Sequence, residues 1–278
     1  MAMKQTAIDD PARFAFGANW SRFLSVLDDD RVAEAETSLQ TMLGVVDLKG
    51  KKFLDAGSGS GLFSLAARRL GAKVHAFDYD PQSVACTGEL RRRYFPDDPD
   101  WNVETGSILD PAYVGRLGLH DIVYSWGVLH HTGAMWLAIE QAISLVNKGG
   151  TLFIAIYNDQ GWKSHLWWFL KLFYNRLPRP LNTLYAYALG GAVHALNILK
   201  QTILLRPMLA VRPLLNYKKK RGMSVTHDLI DWMGGFPYEF ARHEVLKAYM
   251  ESRGFQLERS RPCTSLGCHE LVFRAPSE

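Results

Sequence analysis

Two acids and three glycines stand at spacings that could hold a small polar ligand. They are Asp55-Ala56-Gly57-Ser58-Gly59-Ser60-Gly61 and, further on, Ala76-Phe77-Asp78-Tyr79-Asp80. Glycine accepts positive φ and lets a ligand approach the main chain, and the first turn of a helix carries N–H groups without helical partners. The dinucleotide fingerprint G-x-G-x-x-G is not met, because Leu62 stands where its third glycine would fall. Asp78 follows the first glycine by about 20 residues, the separation at which a carboxylate accepts from ribose hydroxyls. The pattern therefore points to a nucleoside without a pyrophosphate.

Strands and helices must hold these residues in place. Lys52-Phe53-Leu54 is an apolar, strand-like approach to the turn, and the apolar residues of 64–70 recur at helical spacing. The spacing predicts strands at 51–57, 73–80, 101–107 and 120–127. Helices are predicted at 82–93 after Pro81, near 111–117 and at 134–147. Lys148-Gly149-Gly150 reads as a turn into a fifth strand at 151–158. Five strands alternating with helices imply a parallel, doubly wound α/β sheet. After a predicted helix at 239–252, strands at 254–259 and 269–274 follow with no helix between them, so they pair antiparallel. Residues 12–47 read as helical, with Asp28, Asp29 and Asp30 ahead of their second helix.

Leu54-Asp55-Ala56-Gly57-Ser58-Gly59-Ser60-Gly61, followed by Ala76-Phe77-Asp78-Tyr79-Asp80, resembles the cofactor motifs of the class I S-adenosylmethionine-dependent methyltransferases. Ser125-Trp126-Gly127-Val128-Leu129-His130-His131-Thr132 is similar to the segment after strand four in methylases of the quinone-biosynthesis type. The resemblance covers about residues 50–158 and 239–274. It implies a Rossmann-like sheet of seven strands, mostly parallel, with the last strand antiparallel. S-adenosylmethionine would be the cofactor and S-adenosylhomocysteine the product, with no metal, and the sulfonium methyl would pass by in-line displacement. By the same resemblance, Asp55 and Gly57 face the methionine part, and Gly59 and Gly61 shape the turn that admits it. Asp78 holds the ribose and Tyr79 packs on the adenine. Trp126 and Gly127 lie beside the cofactor. The family commonly places an acid after strand three to accept from the adenine amino group; Ser107 occupies that position, and a hydroxyl accepts the same bond more weakly. The alternative for Asp55 is a hydrogen bond within its own turn.

Catalysis needs groups on the acceptor side. His130 and His131 would face the acceptor, and an imidazole titrating near pH 6.5 can take a proton from it; the alternative is a structural histidine or a helix cap. Ligands of open α/β sheets bind beyond the strand ends, which brings in Tyr157 and Asn158. Residues 222–239 are polar and aromatic with little periodicity. They read as a loop, contributing His227 as a third candidate base and Asp228, Asp231, Trp232 and Tyr238 to the substrate side; a helix start capped by acids is the simpler account of His227. Phe16, Asn19 and Trp20 could form a lid over the cofactor. Cys263, Cys268 and His269 lack a second close pair of ligands, which argues against a metal site, and His269 is expected to open an edge-like strand.

Between residues 160 and 227 no Asp or Glu occurs, yet Lys163, Lys171, Arg176, Arg179, Lys200, Arg206, Arg212, Lys218, Lys219, Lys220 and Arg221 all fall there. The expected organisation is a helical cap at 1–48, a core at 49–159 and 236–278, and a basic, aromatic helical insert at 160–235 that covers the acceptor site. Within 162–221 the uncharged run is broken by Asn182, Thr183, Gly190, Gly191, His194 and Asn197, so it is not read as a membrane span. Lying on an anionic membrane surface and docking a partner remain open beside the cover. Three cysteines and no N-terminal signal pattern suit a reducing cytoplasm, with association to a membrane as a further option. The expected acceptor is a small or lipid-linked molecule attacked at oxygen, carbon, nitrogen or sulfur. RNA or protein as acceptor is the alternative, and the non-enzyme alternative is a cofactor-binding scaffold. Nucleic acid is disfavoured, because no RNA-binding module is recognisable and strand four lacks the Asn/Asp-Pro-Pro-Tyr/Phe ending of many nucleic-acid amino-methylases.

Overall fold

The computed structural model describes Trp20, Leu24, residues 27–206, Met208 and residues 225–277, without the side chains of 225–228 and 231. Most of the helical stretch expected at 12–26, with Phe16 and Asn19, lies outside the described residues. Helix α1 (Asp29–Leu43) begins where the Asp28 carboxylate accepts from Arg31 N at 3.0 Å, carries Asp29 and Asp30 in its first turn, and ends at Gly44 with φ 69°.

The core then alternates β1 (Lys52–Ala56), α2 (Leu62–Arg69), β2 (Lys73–Asp78), α3 (Pro81–Tyr94), β3 (Trp101–Thr105), α4 (Pro111–Leu117), β4 (His120–Trp126), α5 (Met135–Ser144) and β5 (Val146–Tyr157). A single 3₁₀ turn, Leu129–His131, follows β4. Helices α3 and α4 start alike: Asp80 and Asp110 cap them, and proline occupies the first turn, where its missing N–H is not needed.

The seven strands form one sheet in the order β3-β2-β1-β4-β5-β7-β6, where β6 is Gln256–Arg261 and β7 is Cys268–Arg274. The first five strands run parallel, and β7 pairs antiparallel with both β5 and β6, as expected. Chain order reverses between β1 and β4, and a crevice opens beyond the strand ends at such a reversal. Successive strand residues alternate between two apolar layers. Leu54, Val123 and Leu271 pack with Met135, Ile139 and Leu246 on one face. Phe53, Tyr124 and Val272 pack with Leu39, Leu65 and Leu90 on the other. Each fully buried side chain of this size contributes roughly 1.5–3 kcal/mol.

Three expectations need correction. The turn at Lys148-Gly149-Gly150 is part of β5, which begins at Val146; the surplus chain is absorbed by a register shift, with His120 opposite Val146 but Ile122 opposite Thr151. The last helix, α9 (His243–Glu251), begins later than residue 239, because Glu239 N is held by His130 O at 2.9 Å and Ala241 N by Tyr157 O at 3.0 Å, which keeps this segment extended. His269 sits on an interior strand, since β6 and not β7 forms the sheet edge.

The segment between β5 and α9 contains α6 (Trp162–Arg176), α7 (Leu181–Ile203) and α8 (Val225–Gly234). The loop expected at 222–239 is therefore helical over ten residues. Leu229 and Trp232 supply the packing that the polar pattern concealed. A Cβ on Gly190 of α7 would lie 2.4 Å from the Leu229 side chain, and the Trp232 ring stands 4.2 Å from that of Trp167 on α6.

Candidate active site

The turn after β1 is built from main-chain contacts. Gly57 (φ 87°) and Ser58 both donate their N–H to Phe77 O, at 2.8 and 3.0 Å, which docks the turn on the end of β2. Gly59 (φ 54°) donates its N–H to Asp78 Oδ2 at 2.9 Å, and Asp80 N donates to Asp78 Oδ1 at 2.9 Å. The carboxylate is thus oriented at the mouth of the turn by two backbone donors. Gly61 (φ 81°) leads into α2 with no side-chain cap, and a Cβ there would come within 2.7 Å of the Thr87 backbone. Trp20 lies over the turn: a Cβ on Gly59 would be 3.1 Å from its Nε1.

Asp55 is buried beneath the turn and accepts from Ser64 Oγ at 2.5 Å. Burial pushes its carboxyl up to about 7; the Ser64 hydrogen bond opposes that rise and the nearby Asp78 charge adds to it. Asp55, Gly57, Gly59, Gly61 and Asp78 thus meet in one place. Tyr79 is exposed beside them. Ser107 is half-buried, and its Oγ accepts from Leu109 N at 3.2 Å within its own turn. Gly127 (φ 75°) ends β4 with nothing within 4 Å of where a Cβ would stand. Trp126 is partnered across the sheet. Its indole N–H donates to Glu270 Oε1 at 2.9 Å, so the ring reaches over β5 toward β7, away from β1.

The two adjacent histidines have unlike surroundings. His130 is fully buried; its ring centroid lies 4.1 Å from that of Tyr157, and its Nδ1 accepts from Tyr157 N at 3.4 Å. Burial, then the charges of His131 and Lys171, hold it well below its ordinary value, so it is neutral at pH 7. His131 is half-buried, with Nδ1 2.6 Å from Pro237 O. A carbonyl can only accept, so Nδ1 carries a proton, and in the neutral ring the lone pair falls on Nε2. His227, Asp228 and Asp231 belong to the α8 backbone, and their side chains lie outside the described residues.

The Tyr157 and Tyr238 rings, tilted to each other by 53°, lie with centroids 5.0 Å apart beside these histidines. Asn158 is occupied structurally, donating its N–H to Gly267 O at 2.9 Å and its amide to Ser265 O at 3.3 Å. Trp232 faces α6. Two further groups escaped the sequence reading. Lys171 on α6 is fully buried, with Nζ hydrogen-bonded to Trp232 O and lying 4.8 and 5.0 Å from the centres of the Trp232 and Tyr238 rings. Burial pulls its ammonium down to about 7. With Asn175, which donates to Gly234 O at 2.9 Å, it closes the C-terminal end of α8. Glu239 accepts from Met135 N at 3.0 Å and so caps α5, whose own Ala134 cannot. Among the described residues no group of three or more His, Cys, Asp or Glu could hold a metal ion.

A reversed strand seven, a glycine turn clasped by the acid that ends β2, and a polar turn after β4 define the fold of the class I S-adenosylmethionine-dependent methyltransferases. The family described as a methyltransferase domain matches residues 29–259, and the chain belongs to it. Its sequence is 35% identical over 113 residues to the ubiquinone biosynthesis O-methyltransferase of Xanthomonas campestris, a match over 41% of this chain and 46% of that protein. Over 74 residues it is 42% identical to the ribosomal protein L11 methyltransferase of Acinetobacter baylyi, 26% of this chain and 20% of that protein. The chain thus matches less than half the length of these curated relatives. The fold is similar to magnesium protoporphyrin IX methyltransferase from Synechocystis PCC 6803, solved with bound SAH (TM-score 0.51, 16% identity, 88% of this chain and 81% of that one). It is also similar to an O-methyltransferase family protein from Burkholderia thailandensis (TM-score 0.52, 13% identity, 90% of this chain and 58% of that one).

Proposed function

We propose that this chain transfers the methyl group of S-adenosylmethionine to a small-molecule acceptor, with the 57–61 turn and Asp78 as the donor site. The observation that carries the reading is the Gly59 N–Asp78 bond of 2.9 Å, which joins the two sequence motifs into one cradle. The residues fit a sulfonium nucleoside: Asp78 offers a fixed carboxylate to a ribose, Tyr79 an exposed ring to a base, and Gly127 open space beside β4. Asp55 supplies buried negative charge when ionised. The bound cofactor supplies an electrophilic methyl carbon on a cationic leaving group.

The chain's share is to hold the reactants in line, shield them and accept a proton. Positioning alone supplies of order 7–11 kcal/mol in favourable intramolecular cases. His131 suits the base, because Pro237 O fixes its tautomer with the lone pair on Nε2. His130 suits a support, buried against Tyr157 and lending its carbonyl to Glu239. Tyr157, Tyr238 and Trp232 form the aromatic side on which the insert closes, with Asp159 near Arg242 at its rim. The relative named as an O-methyltransferase of ubiquinone biosynthesis favours oxygen as the attacking atom of the acceptor.

Titration calorimetry with S-adenosylhomocysteine tests the donor site; absence of binding to the purified chain overturns the reading. For the base, His131→Ala slows methylation of an oxygen acceptor by roughly a hundredfold or more with S-adenosylhomocysteine affinity retained. Full rate across the pH range removes His131 from that role.

A further inference from the structure

On α6, Trp162, Leu166, Phe169 and Phe173 follow one another by four, three and four residues, which sets them in one row along the helix. They are 70%, 46%, 63% and 54% exposed. The opposite row, Ser164, Lys171 and Tyr174, is buried. Helix α7 buries only Ala186 and Gly190 along its 23 residues, and presents Leu181, Leu184, Tyr187, Val193, Leu196 and Leu199 to solvent. Single exposed apolar side chains are ordinary for a protein surface, but these ten large ones share two helices. Exposed apolar side chains gathered on two neighbouring helices mark a binding surface.

Charge says what that surface fits. Apart from the buried Lys171, the described cations of the insert, Lys163, Arg176, Arg179, Lys200 and Arg206, are exposed, while Arg212, Lys218, Lys219, Lys220 and Arg221 follow in the sequence. No acid interrupts residues 160–227. A two-fold contact with a second copy would set this patch against itself, cations facing cations with no carboxylate in the segment to offset them. A lipid surface rich in phosphate neutralises the cations while its acyl boundary takes the aromatic row. Trp162 leads that row, and its ring with one polar edge suits the boundary between headgroups and chains. Among the described residues no helix is long and apolar enough to cross a membrane, so the helices lie along the surface.

We infer that the α6–α7 face docks this protein on an anionic lipid surface. The inference goes beyond methyl transfer and fails separately from it, because lipid binding is read without cofactor or acceptor. The full-length protein is sedimented with vesicles of phosphatidylcholine alone and of phosphatidylcholine mixed equally with phosphatidylglycerol, at low and high salt. Binding to the mixed vesicles is expected. It falls steeply with salt, and Phe169→Glu with Phe173→Glu weakens it about tenfold or more. Circular dichroism and S-adenosylhomocysteine calorimetry check that the double variant is folded; if it is not, Lys163→Glu with Lys200→Glu is read in its place, with the same expected loss. Failure to sediment with the mixed vesicles overturns the inference, as does undiminished binding by the folded variant. So does a dimer in sedimentation velocity that these substitutions dissociate, since a second copy would then own the face.

Discussion

Around Asp55 a carboxyl is buried inside a turn made of main-chain hydrogen bonds; around Lys171 an ammonium is buried among aromatic rings that arrive from distant segments. Both are pushed to about 7, the acid upward and the base downward. The glycine turn is rigid by covalent geometry, because positive φ at Gly57, Gly59 and Gly61 sets where each N–H points. The insert is set by packing: α6, α8 and the extended 235–241 segment are held by Lys171, Asn175, Tyr238 and Pro237. The two constructions are separable, since rings and helices of the insert can be exchanged without moving the turn.

Substituting glycines breaks or sharpens that contrast most. At Gly61 an alanine would adopt φ 81° and press a Cβ to 2.7 Å from the Thr87 backbone. The left-handed backbone alone costs about 1–3 kcal/mol; a marked fall in the thermal midpoint and loss of cofactor binding are expected. Gly191 on α7 has nothing within 4 Å of a Cβ. Gly191→Ala should stabilise by about 0.5–1 kcal/mol. Equal effects at the two positions would dissolve the contrast.

The two buried charges predict opposite pH slopes, each at most about 1.4 kcal/mol per pH unit. For Asp55 the folded value, about 7, lies above the ordinary 3.8. In that window the folded chain keeps a proton the unfolded chain has lost, so this group's contribution falls as pH rises. Asp55→Asn removes that fall. For Lys171 the folded value, about 7, lies below the ordinary 10.5. There the unfolded chain keeps the proton, so stability rises with pH from about 7 upward, and Lys171→Met removes the rise. Denaturant midpoints measured across pH for wild type and each variant check both signs.

A further effect concerns the strap that Glu239 makes to α5. Glu239→Ala should cost about 0.5–2 kcal/mol, the usual range for a lost helix cap, because α5 has no cap of its own. Chemical denaturation measures it, and no change would mean that Met135 N finds another acceptor.

What could be read from the chain follows the same division. The strands, the glycine turn and its pairing with Asp78 were legible because each lies in a short motif or at a spacing fixed by the βαβ unit. The contacts of Lys171 with Trp232, Glu239 with Met135 and Asn175 with Gly234 span 61, 104 and 59 residues, and no local pattern announces them. One signal was present: Lys171 stands in the helical row of Ser164, Trp167 and Tyr174, a cation on a buried face. The two histidines were indistinguishable in sequence, since only the fold decides that His130 points into the core and His131 toward Pro237. The bond from Trp126 to Glu270 spans 144 residues and is likewise announced by no local pattern. The helix at 225–234 was hidden by polar residues around the apolar contacts at 229 and 232.

Titration of S-adenosylhomocysteine into wild type, Asp78→Ala and Lys171→Met tests the central claim most directly. The account predicts that wild type binds, that Asp78→Ala binds roughly 10- to 100-fold more weakly through loss of charge-assisted hydrogen bonds, and that Lys171→Met keeps wild-type affinity. Affinity unchanged in Asp78→Ala, or reduced equally in Lys171→Met, would contradict it.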